Sequence, residues 1–304
     1  MTLLQATQQL QSGLVPLYDE REAGNIAALV MERVTGWKRI DRVLNKQYDL
    51  LPGQLDMLKN YTAQLLQHRP VQYVLEEAWF YDMQFYVDEH VLIPRPETEE
   101  LVDWIVQEIN SNSGKKNEPT ILDVGTGSGC IAIALKKELP GAQVWACDVS
   151  EDALHVARRN AAANEVQVNF LPLDFLQPGQ RTKLPVVDIL VSNPPYIPLN
   201  NRAAMHPRVL RYEPHGALFV ADNDPLTFYK AIADFTQTHL RYNGAIYTEI
   251  HEHMAAAIKE LFYARGFHTV EIKQDLQGKD RMVKASVLNL DSTDEGIRGL
   301  NIGN

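Results

Sequence analysis

The chain has 304 residues, of which 45% are hydrophobic and 22% charged, enough for two cores at about 150 residues per domain. A formal net charge of −10 disfavours a phosphate backbone as partner, and the longest apolar runs are far too short to span a bilayer. Only Cys130 and Cys147 occur, both in apolar stretches, and the N-terminus lacks a basic start and long apolar run, so a soluble cytoplasmic protein without disulfides is expected.

From the N-terminus to about Gln72 the pattern is helical. Ala23, Ile26, Ala27, Val30 and Met31 recur at helical spacing within Glu20–Val34, and Gly36 supplies a C-terminal cap. Pro52-Gly53 opens a second helical segment, in which Leu55, Leu58, Ala63, Leu65 and Leu66 recur until Arg69-Pro70 stops it. A small all-helical domain over residues 1–74 is expected, its Leu and Met stripes being core. Residues 1–90 hold eight Lys and Arg against twelve Asp and Glu, so this domain is no basic nucleic-acid clamp; it reads as a module that docks a protein substrate.

Residues 75–95 form a linker. Phe80, Phe85, Val87, Val91 and Ile93 alternate in places, which predicts a short β-hairpin. From Pro94 onward strands and helices alternate. A helix is predicted over Glu97–Asn110, ended by the polar stretch Ser111–Pro119. Strands follow at Ile121–Val124, Gln143–Cys147, Val168–Leu171, Val186–Val191 and Ala245–Ile250, with helices between them, notably Glu151–Ala163 and Leu226–Leu240. Two closing strands near His268–Lys273 and Met282–Leu288 make seven. Such alternation requires a mainly parallel sheet with helices on both faces and right-handed crossovers. This α/β domain covers residues 96–290, and the polar tail, 291–304, is expected to be disordered.

Two motifs carry the chemistry. Ile121-Leu122-Asp123-Val124-Gly125-Thr126-Gly127-Ser128-Gly129 reads as a strand entering a glycine loop, after which Cys130–Leu135 starts a helix. Alternate glycines let the backbone pass close to a ligand, although G-x-G-x-G departs from the G-x-G-x-x-G of dinucleotide folds. The next strand ends in Asp148, 25 residues on (148 − 123), where a carboxylate can accept both ribose hydroxyls of an adenosine-containing ligand. Asn193-Pro194-Pro195-Tyr196 follows the fourth strand. Its prolines make a stiff, extended corner that points one amide in a set direction beside an aromatic face. That arrangement suits a planar –NH2 group; taken alone it reads equally as a Pro-rich turn.

In this order the motifs resemble class I S-adenosylmethionine-dependent methyltransferases, and the Asn-Pro-Pro-Tyr branch methylates planar amino or amide nitrogens. Val91-Leu92-Ile93-Pro94-Arg95-Pro96-Glu97-Thr98-Glu99, Arg211-Tyr212-Glu213-Pro214 with Ala217-Leu218, and Asp275-Leu276-Gln277-Gly278-Lys279-Asp280-Arg281 resemble the peptide chain release factor N5-glutamine methyltransferases. The resemblance runs from about Tyr73 to Leu288. It implies a seven-stranded Rossmann-like domain, S-adenosylmethionine as cofactor, no metal, and as substrate the Gly-Gly-Gln loop of a release factor. Two positions depart from the family pattern. Glu249-Ile250 is followed by His251-Glu252-His253-Met254 in place of the usual Gly and Gln, and Asp82 stands where the family's hairpin has Gly.

The resemblance also implies roles. Gly125, Thr126, Gly127, Ser128 and Gly129 would shape the backbone under the methionine part of the cofactor, and Asp148 would take the ribose hydroxyls. Asp174 would read the adenine amino group and Phe175 stack on its ring, though Asp174 by residue type reads equally as a loop or helix cap. The Asn193 side-chain oxygen and the Pro194 carbonyl would accept the two substrate N–H bonds, Pro195 would stiffen the corner, and Tyr196 would pack on the flat amide near the sulfonium, so Asn193 borders the cofactor too. For Arg95 and Glu97 an interdomain ion pair explains the residues as readily as substrate contact. His251-Glu252-His253 lacks the last His of H-E-x-x-H, Ala255 standing there, and reads as a solvated or helix-start cluster. The expected protein is a monomer with a protein substrate. A nucleic-acid base amino-methyltransferase of the adenine N6 type presents the same chemistry but needs a basic or aromatic reading region, for which only Arg202, Arg208 and Arg211 offer material. A cofactor-binding scaffold without catalysis has no use for an intact Asn193–Tyr196.

Overall fold

Residues 1–111 and 118–287 are described by a computed structural model, in which the chain divides into two units. The first is built on α1 (Leu3–Leu14), α2 (Glu20–Thr35), α3 (Arg39–Leu44), α4 (Pro52–Leu65) and α5 (Val71–Leu75). Local chemistry sets their ends. Asp19 caps α2 by accepting from the Glu22 N–H at 2.7 Å, and Gly36 closes it in the left-handed conformation at φ 70°. Pro52 fills the first position of α4, where its missing N–H costs no bond. Leu10, Leu14, Ile26, Val30, Met31 and Leu65 are among the side chains buried in this core.

The second unit contains the sheet. A small hairpin of β1 (Ala78–Phe80) and β2 (Met83–Phe85) precedes α6 (Pro96–Ser111), β3 (Thr120–Val124), α7 (Cys130–Glu138), β4 (Gln143–Asp148), α8 (Glu151–Ala163) and β5 (Asn169–Pro172). Then come α9 (Pro178–Arg181), β6 (Val187–Ser192), the two-residue β7 (Ile197–Pro198), β8 (Phe219–Val220), α11 (Thr227–His239), β9 (Leu240–Glu249), α12 (Ala255–Ala264), β10 (Thr269–Gln274) and β11 (Asp280–Ser286), while α10 (Pro207–Tyr212), between β7 and β8 in sequence, belongs to the first unit. The seven-stranded sheet has the order β10-β11-β9-β6-β3-β4-β5, with β11 antiparallel to both neighbours and the other pairings parallel. The chain winds outward from β3 through β4 to β5, then returns to lay β6 on the other side of β3. The switch point of this α/β sheet therefore lies between β3 and β6.

Side chains on successive strand residues face opposite ways, and both sets are covered. Ile121, Ile189, Val191 and Tyr247 share a core with Leu101 and Ile105 of α6 and Ile133 of α7. Their neighbours Leu122, Leu190 and Ile246 share another with Ile232 and Phe235 of α11 and Ile258 and Phe262 of α12. The seven-stranded α/β architecture expected from the sequence is what forms.

Several boundaries differ. The hairpin occupies only 78–85 of the expected linker; Val91 and Ile93 lie outside any strand and are buried. Strand β9 begins at Leu240, where a helix was expected to run to the same residue. The short elements α9, α10, β7 and β8 carry too few periodic residues to be read from sequence. The expected strand residue Leu288 and the tail 291–304 lie outside the described residues, as does most of the Ser111–Pro119 loop.

The first unit is discontinuous in sequence. It includes Val87–Glu89 and Met205–Glu213, the latter carrying α10. Arg208 of α10 pairs with Glu22 at 2.8 Å and lies over the Tyr18 ring, while the Tyr212 hydroxyl donates to the Gln67 carbonyl at 2.8 Å.

Candidate active site

The C-terminal ends of β3 and β6 lie side by side, with Val124 in register with Ser192. The glycine loop leaves one strand end and Asn-Pro-Pro-Tyr leaves the other. Ser192 donates its hydroxyl to the Val124 carbonyl at 2.7 Å, tying the two motifs together one residue before each begins.

The glycine loop folds back on β4: the Gly125 and Thr126 N–H groups both donate to the Cys147 carbonyl, at 2.9 and 3.0 Å. Gly125, Gly127 and Gly129 have φ of 72°, 53° and 83°, a region that side chains disfavour. At Gly129 a Cβ would also lie 3.1 Å from that of Ala157, so this glycine is what lets the loop sit against α8. Ser128 is buried, its carbonyl accepting from Asn160 Nδ2 at 2.9 Å and its hydroxyl without a partner.

Asp148 stands at the end of β4 with one carboxylate oxygen accepting from the Gly127 N–H and the other from the Ser150 N–H, both at 2.9 Å. Burial raises its pKa, against the pull of those N–H groups. Each oxygen has a second lone pair directed elsewhere, which is what two adjacent hydroxyls require. The next residue, Val149, is 71% exposed and offers an open aliphatic face that the sequence reading passed over.

Asp174 is fixed by turn geometry, its carboxylate accepting from the Leu176 N–H at 2.9 Å and its own N–H donating to Gln180. The Phe175 ring is only 5% exposed, packs edge-on to Phe235 and has the Arg181 guanidinium over it. Apolar burial under α11 thus takes up most of the ring's surface.

Asp123, whose sequence position marks it only as a residue of β3, has more to do in the structure. It is wholly buried at the root of the glycine loop, where Oδ2 accepts from the Thr126 hydroxyl at 2.6 Å and Oδ1 lacks a partner of hydrogen-bonding geometry. Burial pushes its pKa up to about 7, against the Thr126 hydrogen bond. The Ala132 N–H also acts on this carboxylate, which offers a buried acceptor at the root of the loop to a cationic ligand group, as Asp148 offers acceptors to a diol. A ligand with both an ammonium and a ribose would satisfy both.

Across the cleft, Asn193 Nδ2 donates to the Thr98 hydroxyl at 3.2 Å, and that hydroxyl donates to Glu249 Oε2 at 2.7 Å. The Tyr196 hydroxyl donates to the other oxygen, Oε1, at 3.1 Å. Glu249, at the end of β9, is 3% exposed, and its backbone carbonyl accepts from the Tyr229 hydroxyl at 2.9 Å. Burial raises the Glu249 pKa, opposed by the Thr98 and Tyr196 hydrogen bonds and the Arg281 charge. Arg281 is itself held by Asp275 at 3.1 Å, and Asp275 also accepts from the Gln277 and Lys279 N–H groups, both at 3.0 Å. Thr98, Glu249 and Arg281 fall in segments that had been matched to a family without a role for these three side chains. Their signal was long-range, since Thr98 and Glu249 lie 151 positions apart. With its N–H engaged at Thr98, the Asn193 amide presents its oxygen on the other prong, next to prolines that carry no competing N–H.

His251 stands edge-on to Tyr196 with ring centroids 6.1 Å apart, and burial followed by the nearby His253 lowers its pKa. It is half-buried and His253 is exposed, and the cluster leads into α12, which starts at Ala255, as the helix-start reading expects. Among the described residues no group of three His, Cys, Asp or Glu is arranged to hold a metal ion, and no helix is long and apolar enough to cross a membrane.

Residues 3–75 match the family described as PrmC N-terminal domain, and residues 103–239 match the Methyltransferase small domain. A protein of Flavobacterium psychrophilum named Release factor glutamine methyltransferase is 42% identical over 278 residues, 91% of this chain and 96% of that protein. Its namesakes in Chlorobaculum tepidum and Bacteroides thetaiotaomicron are 41% and 38% identical, covering 84% and 92% of this chain, and 87% and 98% of their own. Among solved structures, the hMettl16 catalytic domain in complex with a MAT2A 3′UTR hairpin aligns with a TM-score of 0.54 at 17% identity, over 78% of this chain and 82% of that one, a likeness of fold alone.

Proposed function

The chain belongs to the release factor glutamine methyltransferase family, and from that premise we propose that it transfers a methyl group from S-adenosylmethionine to the side-chain amide nitrogen of a glutamine in a release factor, the one in its Gly-Gly-Gln loop. The observation that carries the reading is the Asn193 amide, anchored by its N–H at Thr98 and free at its oxygen beside the glycine loop of a methyltransferase fold. A cytoplasmic monomer acting on a protein substrate is the setting this reading implies.

When bound, the cofactor supplies an electrophilic methyl on a sulfonium. Asp123 would face its ammonium, Asp148 its ribose hydroxyls, Val149 the adenine, and Gly125–Gly129 its methionine backbone. Amide nitrogen is a poor nucleophile because its lone pair is delocalised into the carbonyl. Asn193 Oδ1 and the Pro194 carbonyl accept the two N–H bonds of the incoming –NH2 and aim the nitrogen. Those hydrogens gain positive character as the new bond forms, so the same acceptors bind the transition state more tightly than the ground state. Orientation of this kind supplies about 7–11 kcal/mol of barrier reduction in favourable cases. The Tyr196 ring, steadied through its hydroxyl on Glu249, gives the flat amide a surface and the nearby cation an aromatic face.

The test is transfer of a labelled methyl group to purified release factor, beside a variant lacking the loop glutamine, DNA and rRNA. Label on the intact release factor alone is expected. Label on DNA or rRNA would move the substrate to a base amino group, a reading the net charge of −10 disfavours.

A further inference from the structure

We propose that Glu249, acting through Thr98, sets which way round the Asn193 side-chain amide sits, making Thr98 and Glu249 positioning residues for methyl transfer. The inference deepens the function proposed above and rests on it. A hydroxyl has one proton. The Thr98 hydroxyl gives its proton to Glu249 Oε2 at 2.7 Å, so only a lone pair remains for Asn193. The group meeting that lone pair must be a donor, and Nδ2 is found there at 3.2 Å. Since the two prongs of an asparagine amide have nearly the same shape, packing alone does not choose between them. Hydrogen-bond polarity does. The wrong choice would point an –NH2 at the substrate –NH2, donor against donor.

The direction of the chain originates at Glu249. An ionised carboxylate only accepts, so it obliges both hydroxyls that reach it, those of Thr98 and Tyr196, to donate. Both Glu249 oxygens are met by hydroxyl donors in a site 3% exposed, and the Arg281 guanidinium, held from behind by Asp275, offsets part of the cost of that burial. Glu97 adds a like charge, and Tyr229 meets the Glu249 backbone rather than its carboxylate. One buried carboxylate that accepts at both oxygens therefore orients the tyrosine directly and the asparagine through one intermediary.

Three single variants of the full chain test this: Thr98→Val, Thr98→Ser and Glu249→Gln. Each is assayed for kcat and KM toward release factor, for affinity toward S-adenosylhomocysteine, and for thermal stability. Valine keeps the shape and removes the relay; kcat is expected to fall about 10- to 100-fold, the range for one mispaired buried donor or acceptor, with cofactor affinity kept within about two-fold. Serine is expected to restore kcat to within about three-fold of the parent. Glutamine at 249 can donate as well as accept, so it is expected to lower kcat comparably, and Thr98→Val with Glu249→Gln together to cost little more than either alone. Parental kcat in Thr98→Val, or serine as slow as valine at equal stability, would overturn the relay. An activity-independent reading is the Nδ2 proton resonances of Asn193: nuclear Overhauser contacts to Thr98 are expected in the parent and lost in Thr98→Val. Their absence in the parent overturns the relay even if release factor is methylated. Their presence in a chain that leaves release factor unlabelled retains the relay and sinks only the substrate.

Discussion

The Ser192 hydroxyl donates to the Val124 carbonyl at 2.7 Å, so the residues preceding the glycine loop and Asn-Pro-Pro-Tyr are joined by a bond that neither motif contains. Both are buried, and the bond crosses the switch point of the sheet. Ser192→Ala leaves a buried acceptor without its hydroxyl donor and is expected to cost about 1–3 kcal/mol of stability, read by urea unfolding. If the bond also sets the spacing of the motifs, kcat falls while affinity for the cofactor stays nearly constant. An unchanged kcat would limit the bond to a structural part.

Asp148 spends one lone pair of each oxygen inside the protein, on Gly127 and Ser150. Asp148→Ala should weaken S-adenosylhomocysteine binding at least about ten-fold, the cost of losing charged acceptors toward two hydroxyls. Asp148→Asn keeps the shape but turns one acceptor into a donor facing a backbone N–H, so it should fall between the two. Calorimetric titration measures both, and equal affinities in parent and alanine variant would remove Asp148 from the site.

Asp123 gives a pH prediction whose sign is fixed. Its carboxyl is raised to about 7 in the folded chain, against about 3.9 unfolded, so between these values the folded state binds the proton more tightly. Its contribution to stability is complete below about pH 4 and lost as pH rises through 7. Asp123→Asn has no such proton, so without ligand its melting temperature should gain on the parent between pH 5 and 8. Parallel pH dependences would show that the buried carboxyl does not titrate there.

At the hairpin, Tyr81 and Asp82 hold φ of 52° and 57°, the left-handed pair that a two-residue turn between twisted strands demands. Asp tolerates this region better than most residues, which is how Asp82 can stand where the family has glycine. Asp82→Gly is expected to stabilise by about 0.5–1 kcal/mol, a rise of a few degrees in a differential scan, with activity unchanged.

What sequence made legible was what is local or periodic. The alternation of Ile121 with Leu122 across two covered faces, the glycine loop and Asn-Pro-Pro-Tyr all announce themselves within a few residues. The chain of bonds from Asn193 through Thr98 to Glu249 does not, because its members come from three elements and no spacing rule links them. Phe175 shows a second limit: nothing in its sequence neighbourhood announces that its ring packs on Phe235 and under Arg181. Helix α10 lacked any apolar stripe, since Arg208 and Tyr212 reach their partners through charge and hydroxyl.

The return of Met205–Glu213 to the helical unit bears on how this protein can be cut and shuffled. A catalytic fragment starting at Trp79 would retain Arg208 and Tyr212 but lose Glu22, Tyr18 and Gln67, their partners in the N-terminal stretch. The stub left behind begins nine residues after Tyr196 (205 − 196), in the connection between β7 and β8. The two regions are therefore not interchangeable cassettes. A chimaera that imports another helical region must bring that region's own version of 205–213 with it, and a boundary drawn at a single point in the sequence will sever one unit to preserve the other.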